Sequence, residues 1–346
     1  MRLTLLIPEL IWPEPADRQT LDDLELPALG TLLARGREHR QTLADDSSDA
    51  LIARAFGLAD DIPYAPLRLL GEGLDPGEHH WACADPVHLR LHQERLILAD
   101  GRAIDVAQAE ATELVTALNA YFADAGEFRA ASADRWYLRL AEPAGFRTAP
   151  LSAMAGRRVD RLLPEEAGTV WLRRLLNEAQ MLLHTHPANA TRETQGRMTI
   201  NSLWLWGPGC LPKGLPKTRA TVCADHPLAR GLARATGADC LAAPDSLAAL
   251  MSAPPTGPTL VLLEDLLHAV QYEDPDVWRS AIHRLEADWF APLVAAIRAG
   301  RITLDLRCST VYGLLDWQCR RADLWRLWRH PVSMGSVAAR LADSKE

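Results

Sequence analysis

Thr199-Ile-Asn-Ser-Leu-Trp-Leu-Trp-Gly-Pro-Gly-Cys-Leu-Pro212 decides how the chain is read. Leu203 to Trp206 is an apolar run too short for a helix and closed by Gly207-Pro208-Gly209. It reads as a buried strand ending in a turn. Asn201 enters the strand and small residues leave it, the layout in which a sheet presents a ligand crevice. Just upstream, His184, His186, Asn189, Arg192 and Gly196 crowd into a polar connector.

From Asn201 onward, strands and helices alternate. Ala220–Cys223 is a strand, and Pro227–Thr236 a helix stopped by Gly237. Thr259–Glu264 is a strong strand, and Asp276–Ala299 a long helix with Pro292 inside it. Ile302–Leu306 is the last strand. Such alternation predicts a mostly parallel sheet with helices on both faces. Before it, residues 81 to about 195 read as a self-contained α+β unit. Its strands are Trp81–Leu91, Glu94–Gly101 and Arg135–Leu140, and its helices Asp105–Ala125 and Pro164–His184. At the start of the chain lie a strand, Leu3–Ile7, and a helix, Pro27–Arg35. A second helix, Ala50–Phe56, follows Asp45-Asp-Ser-Ser-Asp49, with Ser48 or Asp49 as its cap.

A chain of 346 residues exceeds what one core usually serves, so two domains are expected. The net charge of -8 and the lack of a dominant basic patch argue against a nucleic-acid partner. No uncharged run approaches the ~20 residues of a membrane helix. Met1–Pro8 has no cationic region and no small-residue cleavage site, so it does not read as a secretory leader. Six scattered cysteines without a CxxC pair read as reduced and buried, which points to the cytoplasm. The eleven tryptophans read as core or interface anchors. The tail Trp317–Leu341, with Trp317, Trp325 and Trp328 among arginines, reads as a terminal helix packed on its own domain, or a surface for a protein partner or self-association.

Taken in order, several segments resemble the archaeal-type cofactor-independent phosphoglycerate mutases of the alkaline-phosphatase superfamily, and more closely the bacterial RpfE-type regulatory, phosphoglycerate-mutase-like proteins. The resemblance rests on Leu3–Ile7, Asp46-Ser-Ser-Asp-Ala50, Pro66–Gly73, Ala84-Asp-Pro-Val-His-Leu89, His186-Pro-Ala-Asn189 and Asn201–Gly209. It implies an alkaline-phosphatase-like α/β core built from residues 1–80 and 196–346, with an α+β cap inserted at 81–195. It also implies two divalent metals, manganese or zinc, that activate a nucleophilic serine and hold the phosphoryl oxygens.

Carried over position by position, that site is altered. Pro8, with Glu9 beside it, stands where the resemblance expects the first aspartate. Glu264, Asp265, His268 and Tyr272 replace a spaced His, Asp and His set. Arg307-Cys-Ser-Thr310 replaces Asp-His-Ser-Thr, and an arginine cannot ligate a metal because it stays protonated. Ser48, with Asp49, remains from the catalytic set. The first reading is therefore a metal-free pseudoenzyme: a regulatory or phosphometabolite-binding protein in which Arg307, Arg192 and Asn201 hold a small anion. The alternative is an active phosphoglycerate mutase or phosphatase, with Ser48 as nucleophile and Glu9, Glu264, Asp265 and His268 as a rearranged metal site. A salt bridge is the plainer expectation for Arg307, and helix-end work for His184 and His186.

Overall fold

A computed structural model describes residues 1–41, 46–92, 95–143, 146–159 and 170–343. Asp45, Glu94 and Pro164, at which the sequence begins a cap, a strand and a helix, lie outside the described residues. The chain divides into two compact units, Met1–Gly57 with Pro216–Glu346, and Leu58–Leu215. Both boundaries fall outside the expected 81–195, so the inserted unit is longer at each end.

The first pass through unit 1 gives β1 (Arg2–Leu6), α1 (Arg18–Leu21), α2 (Pro27–Arg35), β2 (Arg37–Gln41) and α3 (Ser48–Ala55). Unit 2 begins with α4 (Tyr64–Gly71), β3 (Trp81–His92), β4 (Arg95–Ala99), α5 (Gln108–Tyr121), β5 (Gly126–Ala130) and β6 (Trp136–Leu140). It continues with α6 (Leu151–Met154), β7 (Arg158–Val159), α7 (Val170–His184), α8 (Pro187–Thr194) and β8 (Ser202–Gly209). The return to unit 1 gives β9 (Thr221–Cys223), α9 (Pro227–Thr236), β10 (Asp239–Leu241), α10 (Leu247–Ser252) and β11 (Thr259–Leu262). It ends with α11 (Leu267–Gln271), α12 (Pro275–Leu285), α13 (Ala291–Arg298), β12 (Thr303–Thr310), β13 (Gly313–Cys319) and α14 (Met334–Asp343). Among the described residues no helix is long and apolar enough to cross a membrane.

Unit 1 is a seven-stranded sheet in the order β10-β9-β11-β1-β12-β13-β2. The first five strands are parallel, and β13 and β2 add an antiparallel edge. Leu3, Leu5 and Ile7 share one apolar cluster with Leu304, Leu306 and Cys308, closed by residues of α2, α12 and α13. Successive strand residues point to opposite faces, so Asp305, Arg307 and Ser309 face away from that cluster. On that other side α3 packs against β12 and α9. The long helix expected at 276–299 is broken by a π-helical turn at Glu286–Phe290. Pro292 has no N–H to donate back one turn, and the widened turn absorbs the missing bond.

Unit 2 holds a six-stranded antiparallel sheet in which β3 pairs in turn with β6, β8 and β4. The stretch quoted first belongs here and not to the parallel core. As β8 it runs antiparallel to β3, with Trp204 opposite Asp85 and Gly209 opposite Trp81. Its glycines make no ligand crevice. A Cβ on Gly207 (φ +57°) would lie 2.5 Å from Tyr64 Cβ, and one on Gly209 would lie 2.7 Å from Pro63 Cβ. The glycines let the start of α4 lie directly on the sheet.

Candidate functional site

In parallel sheets ligands gather beyond the carboxyl ends of the strands. Unit 1 collects most of the sequence candidates there. Pro8 and Glu9 follow β1, and Glu9 N donates to Ser309 O at 2.9 Å. Glu9 is buried and held at φ +57°, a backbone conformation that costs a non-glycine residue of order 1 kcal/mol or more. Glu264, Asp265 and His268 follow β11, which lies beside β1. Arg307 and Ser309 occupy the last half of β12, on β1's other flank.

Ser48 stands at the first helical position of α3, which packs on β12. The expected cap is corrected by one residue. Ser47 is the N-cap, and its Oγ accepts from Ala50 N at 3.1 Å. Ser48 is thus spared for other work. It is only 3% exposed, and its Oγ has no hydrogen-bond partner among the described residues. The same holds for Ser309 Oγ, His268 Nε2 and Arg230 Nε of α9. Leaving a buried polar atom unbonded costs about 1–3 kcal/mol, so four such atoms in one unit call for an explanation.

The charges around them are distributed in pairs. Arg307 Nε lies 3.4 Å from Asp316 Oδ1, directly across the β12–β13 ladder. This is the salt bridge expected as the plainer reading, and about a third of each side chain remains exposed. Burial pushes the Asp316 carboxyl above its ordinary value, while Arg307 and His39 pull it back down. A raised carboxyl binds its proton more tightly in the folded state, so ionisation opposes folding above the ordinary value of 3.8. Asp316→Asn should therefore gain stability relative to the parent as the pH rises from about 3.8 through the raised value. Urea unfolding at acid and neutral pH checks this; a difference that stays constant between them would contradict it.

Two of the candidate acids also face basic side chains. Glu264 Oε1 lies 3.9 Å from His226 Nε2, and Asp265 Oδ1 lies 3.9 Å from Arg284 Nη2. The His268 ring packs on Tyr272 at 4.6 Å. Among the described residues no three His, Cys, Asp or Glu side chains come together as a metal shell requires. Glu9, Glu264, Asp265 and His268 are thus not gathered into one shell in this arrangement.

Arg192 and Asn201 belong to unit 2, and their contacts there are architectural. Arg192, fully buried, donates through Nε to Met198 O at 2.7 Å, through Nη1 to Glu110 at 2.6 Å and through Nη2 to Ile104 O. Asn201 accepts from Leu89 N at 2.8 Å and donates to Leu89 O at 2.9 Å, so its amide prolongs the β3–β8 ladder. Both side chains are thus engaged in holding unit 2 together. Ser309 and Arg230 are the additions that the sequence reading missed. Ser309 stood in the quoted Arg307–Thr310 string, but only its place beside Glu9 marks it; nothing in the sequence marks Arg230.

Residues 64–189 match the family model of 2,3-bisphosphoglycerate-independent phosphoglycerate mutase, a segment that lies wholly within unit 2. That segment is phosphoglycerate-mutase-like. A probable 2,3-bisphosphoglycerate-independent phosphoglycerate mutase of Geobacter sulfurreducens is 27% identical over 172 residues, 48% of this chain and 43% of that protein. The 2,3-bisphosphoglycerate-independent phosphoglycerate mutase 2 of Methanothermobacter thermautotrophicus is 32% identical over 162 residues, 44% of this chain and 37% of that protein. The chain therefore spans less than half the length of these two relatives. The solved structure of the PH0037 protein from Pyrococcus horikoshii covers 99% of this chain and 95% of its own, with a TM-score of 0.57 and 16% identity. That likeness bears on the fold, and the α/β class expected from the alternating segments agrees with it.

Proposed function

We propose that this phosphoglycerate-mutase-like chain is a regulatory protein that binds a small phosphorylated metabolite at the carboxyl edge of the unit 1 sheet. One observation carries the reading: Ser48 Oγ, buried and without a partner among the described residues, at the first position of α3. A helix N-terminus presents unsatisfied N–H groups and the positive end of the helix dipole, which favour an anion. The Ser48 hydroxyl would donate to a phosphoryl oxygen there. Arg307 would supply the charge, exchanging part of its contact with Asp316 for a bidentate contact with phosphate. Phosphoryl transfer is not part of this reading, because Glu264 and Asp265 face His226 and Arg284 and are not gathered with His268 on a common centre among the described residues.

Isothermal titration with inorganic phosphate and with 3-phosphoglycerate, in the presence of EDTA, tests it. Binding is expected in the parent. Arg307→Ala should weaken it by roughly tenfold or more, and Ser48→Ala by several-fold, as loss of charged and neutral hydrogen bonds implies. No binding of either compound by the parent would end the proposal. Conversion of 3-phosphoglycerate by manganese-loaded protein, lost in Ser48→Ala, would replace it with the active-enzyme reading.

A further inference from the structure

A cleft of about 750 Å³ opens in unit 1 on the side of α2 and β2, walled by the segment between β13 and α14. Leu33, Val332 and Val337 contribute apolar lining. Four arginines, Arg37, Arg326, Arg329 and Arg340, line it as well. Two carboxylates answer them. Asp323 lies 3.4 Å from Arg37 and 3.0 Å from Arg326, and Glu38 takes Arg340 through contacts of 2.9 and 2.7 Å. The Arg329 guanidinium donates to Ala34 O, at 3.3 Å, and meets no carboxylate among the described residues. The cleft therefore carries two more positive than negative charges, in a chain whose net charge is -8.

The sequence reads the tail Trp317–Leu341 as a terminal helix packed on its own domain, or as a surface for a protein partner or self-association. Trp317 is buried in β13 instead, while Trp325, Leu327 and Trp328 are 66%, 59% and 75% exposed. Trp328 also lines the cleft. Its volume falls in the range of about 300–1,000 Å³ typical of small-molecule sites, which combine apolar lining with a few placed charges. An exposed indole beside guanidinium groups suits a ligand that joins a planar ring to several negative charges.

We propose that this cleft binds a nucleoside polyphosphate, its base stacked on Trp328 and its phosphates on Arg329 and Arg37. None of the sheet-edge residues takes part, so the inference stands apart from the phosphometabolite reading.

The test is titration of the full chain, in EDTA at low salt, with ATP, adenosine and tripolyphosphate. ATP should bind, and adenosine and tripolyphosphate should each bind at least about tenfold more weakly, since each offers half of the recognition. Trp328→Ala and Arg329→Ala should each weaken ATP by roughly tenfold, while Ser48→Ala and Arg307→Ala leave it unchanged. Trp328 is largely exposed, so its removal should keep the parent's melting temperature and fold. The proposal fails if ATP does not bind, or if tripolyphosphate binds as tightly as ATP. It fails equally if Trp328→Ala has no effect, or if only the sheet-edge variants lose ATP. A polyglutamate peptide that binds more tightly than ATP and loses its hold in Trp328→Ala would reassign the cleft to an acidic peptide and overturn the nucleotide.

Discussion

Asp85→Ala is expected to destabilise unit 2 by about 3–5 kcal/mol, the range for removing one member of a buried ion pair. Asp85 is fully buried in β3 and accepts four hydrogen bonds. Arg68 Nη1 and Nη2 donate to it at 2.7 and 2.5 Å, Trp206 Nε1 at 2.8 Å and Trp136 N at 3.2 Å. The Arg68 guanidinium lies 5.0 Å from the ring centre of Tyr137 and 5.4 Å from that of Trp206. Its Nε donates to Tyr137 Oη at 2.9 Å. Burial pulls the Arg68 value down, but Asp85 and Tyr137 hold it well above the ordinary range, so the guanidinium stays charged. Without Asp85 that charge would remain in an apolar enclosure, with two indole and backbone donors unanswered.

The pairing itself is not the source of the loss. Replacing both members, as Arg68→Met with Asp85→Leu, should cost less than Asp85→Ala alone, because the uncompensated charge disappears. Urea unfolding of the two variants beside the parent decides the matter. A cost for Asp85→Ala below about 1 kcal/mol, or a double variant worse than the single one, would show that water reaches Arg68.

This network was invisible in the sequence although its members were in view. Asp85-Pro86 sits in a strand that alternation made plain, and Trp206 sits in the run first quoted. Which strand lies beside which is a property of the sheet, and the register Asp85 opposite Trp204 joins residues far apart in the chain. A short apolar run shows that a strand is buried, not in which sheet, and β8 was therefore placed in the wrong one. By contrast, β11 and α9 were legible. The first is a continuous apolar run, as a strand covered on both faces must be. The second begins at Pro227 and ends at Gly237 with φ +71°, where a left-handed residue is needed.

The edges were hardest to read. Arg37-Glu-His-Arg-Gln41 forms β2, the outermost strand of its sheet. Charged residues are what a protected edge carries, and they remove the apolar alternation that identifies a strand. Ser48, His268 and Arg307 were candidates through the family resemblance carried over position by position. Nothing comparable pointed to Arg230, since a charged residue on an amphipathic helix is ordinarily solvated. The same logic explains Arg192. Its neighbourhood in the sequence suggested a ligand, whereas its carbonyl and carboxylate partners come from a stretch more than eighty residues earlier as well as from its own helix end.

Glu286→Ala should cost unit 1 about 3 kcal/mol, for a reason that also lies between distant segments. Helix α2 begins at Pro27, and Leu26 offers no side-chain cap. Pro27 has no N–H, and Gly30 N is taken by Leu26 O at 2.8 Å, which leaves the donors of Ala28 and Leu29. Glu286, in the π-helical turn after α12, accepts from Ala28 N at 2.6 Å and from Leu29 N at 3.0 Å. Its carboxylate also meets the positive end of the α2 dipole. Each charge-assisted bond is worth about 1.5–3 kcal/mol, and alanine would leave two buried donors unanswered. Glu286→Gln should recover part of the loss, because one amide oxygen can still accept while the NH₂ group faces the second donor. Hydrogen exchange locates the effect: protection of the amides of residues 28 and 29 should fall in Glu286→Ala before that of β1 does. If those amides keep their protection and the urea midpoint shifts by less than the equivalent of about 0.5 kcal/mol, then water or a local rearrangement caps α2 as well as the carboxylate does, and the π-helical turn is only a response to Pro292.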